Sequence, residues 1–563
     1  MKSFYPPSLT LEVTRVNMNF SWISMVMALA CQGILLILSN FKTSLMAHDE
    51  GWYTTLALGM VRSQDWLSPT WWGQLVYDKT SGLHWLIAAS LNLFGSSETA
   101  ARLPSGIACL ISVGLMYWIG TYLLGDRAAI LGCLCLSTIF AWTQYGQLAT
   151  QDVPLISIEL ICIWALLQAE HLPQYRRVLG FLSGLCLGVG FLVKGFMVAL
   201  PSLALLPYLI FEHRRHKHLF NPGLYLGILA GVIAVLYWFW QLWEAHGSLP
   251  FEQLFGVLAL AASEDYHGVG PLYYLWSIPA AFLPWTPIAL LGMIQIFRQH
   301  HIHRKWLLLG YPAGLLLMLQ IFPTKTPYYP LQIYPFLGLY AGLALSNLVS
   351  LKHPARKQAR RTLRVIEIAY GLVGLLLLIA SVVLTVGMAL NQNLGGLEED
   401  PKLLIYLLIA LAVGLSWMGG LWLGSKSSSR HQWLDWHQTR IGLASLLVGP
   451  WLAIAIAGTS GLIGDYNPDI KAFLQQPQIT EISNQYAIDT VIKDVNRESH
   501  KMWILTSFYT RNWGEQFPDL QSLPPNHYGW ISPEFSQEIT SDSASGYEII
   551  GTIRGWTLTR KVS

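Results

Sequence analysis

Three consecutive side chains that can hold or transfer protons, His48, Asp49 and Glu50, lie shortly after the first long apolar run of the chain, residues 20–40. A carboxylate is costly to place near hydrocarbon, so acids at the end of an apolar run suggest a function. A carboxylate within hydrogen-bond reach of a hydroxyl or an amine can take its proton as a general base. Taken alone, Asp49 and Glu50 could equally cap the next helix or remain solvated.

Other charged residues also stand at the ends of apolar segments. They are Asp78, Lys79, Arg102, Asp152, Lys194, Glu264, Asp265, His267 and Lys325. Each has a simple structural explanation: Asp152 before Pro154 suits a helix N-cap, and the lysines suit interfacial anchors. In combination, lysines can receive the charge of a departing phosphate while a carboxylate deprotonates an acceptor. The residue types therefore suit a transfer reaction with a lipid-phosphate donor.

The composition is that of a polytopic membrane protein. Of 563 residues, 53% are hydrophobic and 12% are charged, against about 25% charged in soluble domains. The net charge of +3 is dispersed, which gives no support for nucleic-acid binding. All six cysteines lie in apolar segments, so neither a disulfide framework nor a thiolate metal site is expected. No glycine-rich nucleotide loop follows a strand, which disfavours a soluble nucleotide-activated donor.

Thirteen apolar segments are long enough to predict membrane-spanning helices. They are residues 20–40, 103–124, 128–148, 153–170, 178–193, 196–211, 223–243, 271–297, 306–322, 328–348, 365–390, 403–424 and 441–463. The shorter segment 83–94 better suits a helix that lies along the membrane surface.

Lysine and arginine concentrate in alternate connections, including "HRRHKH" (213–218) and "KHPARKQARR" (352–361). Basic connections are typical of the cytoplasmic side, which predicts a cytoplasmic N-terminus and an external C-terminus. The charged residues named above, from Asp49 to Lys325, then all fall on the external face.

The polar tail changes character and predicts a second domain, residues 464–563, after a membrane domain of residues 1–463. Alternating patterns predict strands at 502–507, 547–553 and 556–560, and residues 485–497 suit a helix. The predicted fold class is an α-helical polytopic membrane protein with a small α/β domain at its C-terminus.

Seven segments between residues 20 and 345 resemble, in order, the motifs of the bacterial aminoarabinose transferase family that modifies lipid A, and more widely the protein O-mannosyltransferase superfamily with the GT-C fold. They are "HDEGWYTTLALGM", "VYDKTSGLHWLIAASLNLFGSSETAARLPSG", "GQLATQDVPL", "GLCLGVGFLVKGFMVALP", "HGVGPLYYL", "FLPWTP" and "KTPYYPLQIYP". The resemblance implies an inverting glycosyltransferase of the bacterial plasma membrane with a periplasmic domain. Its donor would be a polyprenyl-phosphate sugar, and its acceptor a glycolipid, a glycan or a protein.

The resemblance also implies roles for individual residues. Asp49 and Asp152 match acids that orient or deprotonate the acceptor, and Glu50 completes the acidic pair; all three are candidate catalytic residues. The candidates for binding the donor phosphate are Lys79, Lys325, Tyr329, Arg102 and Lys194. Asp78 and His267 stand where some family members bind zinc, so a divalent metal is a possible cofactor although none is required for certain.

Two alternatives remain open from the sequence. A transporter would place charges near the middle of several spans and show inverted repeats, whereas these charges stand at the ends of spans. A non-catalytic polyprenyl-phosphate binder would need Lys79 and Lys325 but not Asp49. One departure from the family pattern is Trp52, where the family commonly has arginine.

Overall fold

The computed structural model describes residues 20–39, 41–263, 269–298, 304–350, 356–390, 400, 402–425, 432–493, 497–540 and 546–562. The helices up to the first basic connection are α1 (Trp22–Leu38), α2 (Trp52–Ser63), α3 (Gly82–Phe94), α4 (Glu98–Leu124), α5 (Asp126–Ser137), α6 (Phe140–Gln147), α7 (Asp152–His171), α8 (Arg176–Lys194), α9 (Ala199–Ala204), α10 (Leu206–Phe211) and α11 (His213–His216). Those that complete the membrane domain are α12 (Pro222–His246), α13 (Leu249–Ser263), α14 (Tyr273–Ala281), α15 (Thr286–Arg298), α16 (Tyr311–Ile321), α17 (Tyr334–Ser350), α18 (Arg356–Ala389), α19 (Leu403–Ser425) and α20 (Gln432–Thr459).

The predicted apolar segments all form helices, but not all of these helices are long. Among the described residues, seven helices are long and apolar enough to cross a membrane, and nine if each of two bent pairs counts as one span. The bent pairs are α5 with α6, at 73°, and α14 with α15, at 110°. Fewer helices than the thirteen predicted spans therefore meet this length criterion, because several of the predicted segments form helices that are broken or shorter than 18 residues. Segment 83–94 forms the short helix α3, and its position along the membrane surface stays a prediction.

Helices α8 and α12 approach each other through two matched rows of glycines. Gly180, Gly184 and Gly188 on α8 repeat every four residues and therefore share one face. Gly223, Gly227 and Gly231 form the equivalent row on α12. A Cβ atom on Gly227 would lie 2.0 Å from the carbonyl oxygen of Phe181. Small residues permit such close backbone contact, which fixes α8 against α12.

Helix α7 separates two groups of charged residues. Its 20 residues give it a length of about 30 Å. Asp152 begins it, and near its other end Glu170 accepts hydrogen bonds from Arg215 and Arg304. Both arginines belong to connections that the sequence places on the basic side. The fold thus separates these basic connections from Asp152 by the length of a membrane-crossing helix.

The C-terminal domain contains helices α21 (Pro468–Leu474), α22 (Pro477–Gln485), α23 (Arg497–Tyr509) and α24 (Pro533–Thr540). Strands β1 (Thr70–Trp71) and β2 (Gln74–Leu75) form a small hairpin earlier in the chain, and β3 (Ile488–Val491), β4 (Trp513–Phe517), β5 (Tyr528–Ile531), β6 (Tyr547–Ile553) and β7 (Trp556–Lys561) form one sheet. Its strand order is β4-β3-β5-β7-β6. Strand β3 pairs in parallel with β4 and β5, whereas β7 is antiparallel to β5 and β6.

Two of the predicted strands are confirmed, and two other element predictions are wrong. Residues 547–553 and 556–560 lie in β6 and β7. Residues 502–507 lie inside α23, where each of these six side chains is buried, so the pattern carries no helical period. The predicted helix at 485–497 contains β3, an interior strand of the sheet, whose four residues are all buried. A fully buried segment shows neither the helical nor the strand period clearly.

The C-terminal domain shares a hydrophobic core with the segment between α1 and α4. One cluster of buried residues joins Leu45, Leu56 and Trp71 to Trp503 and Trp530. The indole nitrogens of Trp71 and Trp72 donate to Ser507 Oγ at 3.1 and 2.8 Å. These contacts fix the loop that carries Asp49 against α23.

Candidate functional site

Asp49 occupies an unusual backbone conformation in the turn Ala47–Gly51. Its φ is 55° and its ψ is −86°, while His48 before it is extended. A non-glycine residue at positive φ costs on the order of 1–3 kcal/mol and persists only where its surroundings hold it. The turn is held by Gly51 N–H, which donates to Met46 O at 2.8 Å, and by the packing of α23. The structure therefore presents a half-buried carboxylate on a fixed turn.

Glu50 points away from Asp49 into a closed ionic pair with Arg102. Both side chains are fully buried, and Arg102 Nε and Nη2 donate to the two Glu50 oxygens at 2.6 and 2.9 Å. Arg102 also donates to the backbone carbonyls of Thr43, Ser44 and Gly464 at 3.0, 2.9 and 3.2 Å. The pair fastens the Asp49 loop to α4 and to the start of the C-terminal domain. We infer a positioning role for Glu50 and Arg102, rather than contact with an acceptor or a phosphate.

Asp152 and Lys194 form a second ionic pair where α7 begins and α8 ends. Lys194 Nζ donates to Asp152 Oδ1, and both side chains are largely buried. The ammonium group also lies 5.6 and 5.3 Å from the ring centroids of Tyr328 and Tyr329. An ammonium held between a carboxylate and two aromatic rings is an oriented cation.

Lys79 and Asp78 line the same region from the loop before α3. Lys79 Nζ lies 3.9 Å from Asp78 Oδ2, and Trp52 Nε1 donates to that oxygen at 2.8 Å. About a third of the Lys79 side chain is exposed, so its ammonium group can receive a further anionic partner. Trp52, the departure from the family pattern, therefore supplies a neutral donor to Asp78.

The charges of Asp49, Asp152, Lys79 and Lys194 act on one another. Burial raises the pKa of the Asp49 carboxyl, and the neighbouring charge of Asp152 raises it further, while Lys79 and Lys194 lower it. These two acids and two lysines come from four separate chain segments and lie near enough to affect the charge of Asp49. Their roles in a common site stay a prediction. A carboxylate whose pKa is raised towards neutrality is a stronger base in the range where enzymes operate.

The other predicted site residues differ in their contacts with this centre. Tyr329 belongs to the site, because its ring contacts Lys194 and lies in the field of Asp152 and Asp49. Lys325 is buried, and its Nζ donates to Phe322 O at 2.7 Å. Tyr328, three residues after Lys325 in the chain, has its ring centroid 5.6 Å from Lys194 Nζ. His267, with Glu264 and Asp265, lies outside the described residues.

The candidate metal position is only partly described. Asp78 Oδ1 is buried and has no hydrogen-bond partner among the described residues, so one acceptor atom there is available to a cation. Within the described part of the chain, no group of three histidine, cysteine, aspartate or glutamate side chains is arranged to hold a metal ion. Asp78 is therefore chemically suited to be a metal ligand. The zinc site stays a prediction.

Two residues that sequence reasoning missed also contribute to the site. His500 on α23 brings its ring within 5.4 Å of His48 and 5.2 Å of Trp52, measured between centroids. Tyr328 contacts Lys194 and Tyr145. Tyr328 could have been found from its place beside Tyr329, whereas nothing in the tail marks His500.

Buried polar atoms without a hydrogen-bond partner occur in several parts of the chain, including the segments that carry Asp49, Lys79 and Asp152. Among the described residues they include side-chain atoms of Thr54, Asp78, Thr80, Ser81, Thr150 and Gln151. Buried polar groups in proteins are nearly always paired, so these atoms are available to a polar ligand or to water.

Comparison with known proteins agrees with the motifs. A family model described as dolichyl-phosphate-mannose-protein mannosyltransferase matches residues 78–240. The undecaprenyl phosphate-alpha-4-amino-4-deoxy-L-arabinose arabinosyl transferase of Pseudomonas aeruginosa is 27% identical over 347 residues, which are 57% of this chain and 60% of that protein. The enzyme of the same name from Edwardsiella ictaluri is 28% identical over 316 residues, 52% of this chain and 54% of its own length. The chain thus matches between half and two thirds of the length of these relatives.

Solved structures extend the likeness over nearly the whole chain. ArnT from Cupriavidus metallidurans bound to undecaprenyl phosphate superposes with a TM-score of 0.72 at 19% identity, covering 95% of this chain and 97% of that one. An oligosaccharyltransferase from Archaeoglobus fulgidus gives a TM-score of 0.50 at 12% identity, covering 91% and 69%. At these identities the superpositions show the fold. The chain is therefore a multi-pass membrane protein of the GT-C fold, and it resembles the bacterial aminoarabinose transferases within the protein O-mannosyltransferase superfamily.

Proposed function

We propose that this protein is an inverting glycosyltransferase that moves a sugar from a polyprenyl-phosphate carrier to an acceptor at the outer face of the bacterial plasma membrane. The observation that carries the proposal is the site itself, where Asp49 on its fixed, half-buried turn lies in the electrostatic field of Asp152, Lys79 and Lys194. The relatives named above support it, since they are named as transferases with an undecaprenyl phosphate-linked donor.

Asp49 serves as the general base in this proposal. The acceptor hydroxyl or amine attacks the anomeric carbon from the side opposite the phosphate, and Asp49 takes its proton as the new bond forms. Asp152 is engaged by Lys194, so its role is to orient that lysine and, through it, the donor. Glu50 and Arg102 hold the turn.

The lysines stabilise the departing lipid phosphate. As the bond from the sugar to the phosphate breaks, negative charge grows on the phosphate oxygens, and Lys79 and Lys194 offset it as point charges. Lys325 and Tyr329 supply further contacts from the segment before α17. The donor enters sideways from the bilayer, so its isoprenoid tail need not leave the lipid.

The membrane orientation is part of the proposal. The N-terminus is cytoplasmic, and the C-terminal domain lies in the periplasm, because basic connections cluster at the end of α7 that is remote from Asp152. The acceptor is a glycolipid, a glycan or a protein within reach of that compartment.

The direct test uses Asp49→Asn and Lys79→Ala with a synthetic polyprenyl-phosphate sugar and membrane extracts as the acceptor source. Loss of the base should lower turnover by about 10²- to 10⁴-fold, with donor binding retained. Lys79→Ala should weaken donor binding. Asp519→Asn, in the C-terminal domain, is the matched control and should transfer at the rate of the unaltered protein. Undiminished turnover by Asp49→Asn would overturn the proposal. If neither the unaltered chain nor any variant transfers sugar, but lipid-phosphate binding is retained, the result would favour a non-catalytic binder.

A zinc ion held by Asp78 and His267 is a separate proposal. Such an ion would add positive charge beside the phosphate. Metal analysis should then find zinc in the purified unaltered protein and less zinc in the Asp78→Ala and His267→Ala variants. An equal zinc content in the unaltered protein and both variants would contradict the zinc proposal.

A further inference from the structure

A cavity of about 260 Å³ lies within the C-terminal domain, apart from the Asp49 site. Its lining combines an apolar side, from Ile470, Met502 and Trp556, with charged side chains at its edge. The volume is slightly below the range of about 300–1,000 Å³ that is usual for small-molecule sites. It suits a compact ligand such as one sugar unit.

The cavity occupies the position in the sheet where open α/β folds bind ligands. The chain leaves β3 through α23 to reach β4 on one side, and it leaves β5 through α24 towards β6 on the other side. Strand order therefore reverses between β3 and β5. In such sheets ligands bind outside the carboxyl ends of the strands at the reversal point.

The hydrogen bonds and packing around the cavity agree with this geometry. Ser499 in the first turn of α23 and Ser532, immediately before α24, line it, and Ser532 N–H donates to Val491 O at 3.0 Å. The two helices also cover opposite faces of the sheet, because Trp503 packs with Trp530, whereas Phe535 packs with Ile531. The cavity is thus a crevice between two layers.

The charges that line the crevice balance, which favours a neutral ligand. Lys501 pairs with Glu498, and Glu534 Oε1 accepts from Lys493 N–H at 2.9 Å. Arg554 Nη1 donates to Asn467 Oδ1 at 3.2 Å, and its other nitrogens bind Asp469. Two cations and two acids line the crevice, so an anion gains no net attraction. Oriented donors and acceptors beside an apolar wall suit a sugar ring, which has hydroxyls at its edge and an apolar face.

Helix α23 connects the crevice to the Asp49 site. His500 faces His48 and Trp52, while the neighbouring residues Glu498 and Lys501 face the crevice. Asn467, which also lines the crevice, donates through Nδ2 to Leu45 O at 2.9 Å, four residues before Asp49. A helix with its side chains is about 10–12 Å across, so one molecule reaching both places must be extended.

We propose that this crevice, at the junction of β3 and β5, binds a neutral glycosyl unit of an extended acceptor. The assignment to the acceptor rests on the proposed function, whereas the binding of a neutral saccharide does not. The crevice holds a distal sugar of the acceptor while the group that is to be modified reaches Asp49.

The test measures saccharide binding by the full-length protein in lipid nanodiscs free of glycoside detergents. Saturation-transfer difference NMR with maltotriose and chitotriose should show transfer to sugar ring protons for at least one of them. Glu498→Ala with Lys501→Ala should weaken that binding by about tenfold or more, because each group offers a charge-assisted hydrogen bond. A length-preserving pair, Glu498→Gln with Lys501→Met, should act in the same direction.

Two control variants separate this proposal from folding and from catalysis. Arg511→Ala with Glu515→Ala removes an exposed cation and an exposed acid at β4, outside the crevice, and should bind the trisaccharide like the unaltered protein. Asp49→Asn should also bind it fully, even though transfer is lost. If the chain were not a transferase, trisaccharide binding would still be observed.

Three results would overturn the proposal. The first is no saturation transfer to either trisaccharide. The second is saturation transfer in the Glu498 and Lys501 variants equal to that in the unaltered protein. The third is that inorganic phosphate displaces the trisaccharide and that this binding of phosphate requires Lys501. The last result would identify an anion site instead. For the acceptor role, the crevice variants should raise the KM for acceptor with donor KM unchanged; a change in donor KM alone would contradict that role.

Discussion

Asp49 and Glu50 are adjacent in sequence, yet they face different environments. The positive φ of Asp49 turns its carboxylate towards Lys79 and Lys194, whereas Glu50 is fully buried on Arg102. An acidic pair read from the sequence as one unit therefore has two separate functions. One carboxylate is available for chemistry, and the other maintains the turn that presents it.

The raised pKa of Asp49 predicts the shape of the pH profile. A base acts when deprotonated, so kcat/KM should fall as pH drops through the pKa of Asp49, which burial and Asp152 hold above its ordinary value. Asp152→Asn removes the repelling charge, lowers the pKa of Asp49 and should shift the acidic limb to lower pH. Lys79→Ala removes an attracting charge and should shift it to higher pH. Shifts in the opposite directions would argue against Asp49 as the titrating group.

The buried pair of Glu50 and Arg102 predicts a large effect on stability. Arg102→Ala leaves the Glu50 carboxylate buried and unpaired, and the free energy of unfolding should fall by about 3–5 kcal/mol. Thermal unfolding in detergent measures this, and the double variant Glu50→Gln with Arg102→Met should recover part of the loss. Arg554→Ala breaks a half-exposed pair with Asp469 and should cost about 0–1 kcal/mol. Equal losses in the two arginine variants would show that burial does not determine the effect.

At the scale of elements, the membrane helices are positioned by backbone contact as much as by side chains. The repeats Gly180, Gly184, Gly188 and Gly223, Gly227, Gly231 bring α8 and α12 together along their length. Lys194, the last residue of α8, is placed by that contact.

Gly227→Leu should therefore affect both stability and the site. The new side chain would meet the backbone at Phe181, and overpacking of this kind costs about 1–3 kcal/mol or more. We expect a lower thermal midpoint together with a reduced turnover. Gly419 on α19 has no neighbouring atom within 4 Å of a built Cβ, so Gly419→Leu is the matched control. A normal midpoint and turnover for Gly227→Leu would mean that the crossing tolerates separation.

Hydropathy and charge predicted much of the fold, and they did so for a physical reason. A membrane imposes length and polarity on each helix, so charged residues such as Asp152 and Lys194 are expected at helix ends, where the structure has them. The same rules fail inside the C-terminal domain, because residues 502–507 of α23 and all four residues of β3 are buried and so lose the periodicity that identifies an element. The ionic pair of Glu50 with Arg102 also could not be predicted from the sequence, because it joins residues 52 positions apart without any local pattern.

At the scale of the whole molecule, the two ends of the membrane domain differ in chemistry. The Asp49 site lies at one end of α7, and the cluster around Glu170 lies at the other. The enzyme proposal requires the first end to share a compartment with the C-terminal domain.

Labelling of intact cells tests that arrangement. Cysteine introduced at exposed Glu515 should react with a membrane-impermeant maleimide, whereas cysteine at exposed Arg214 should react only after the membrane is opened. The six native cysteines are buried or half-buried and provide a low background. Reaction of both positions in intact cells, or of Arg214 alone, would contradict the proposed orientation.

The core that the segment between α1 and α4 shares with the C-terminal domain has a consequence for biogenesis. Leu45 and Trp71 leave the ribosome early, but their partners Trp503 and Trp530 are translated last. A nascent chain therefore carries an unfinished Asp49 turn until synthesis ends, so we expect it to be inactive towards the carrier lipid. A nonsense allele that stops translation at residue 463 should behave as a complete loss of transfer activity, and residual activity in that truncated product would show that the turn assembles without its late partners.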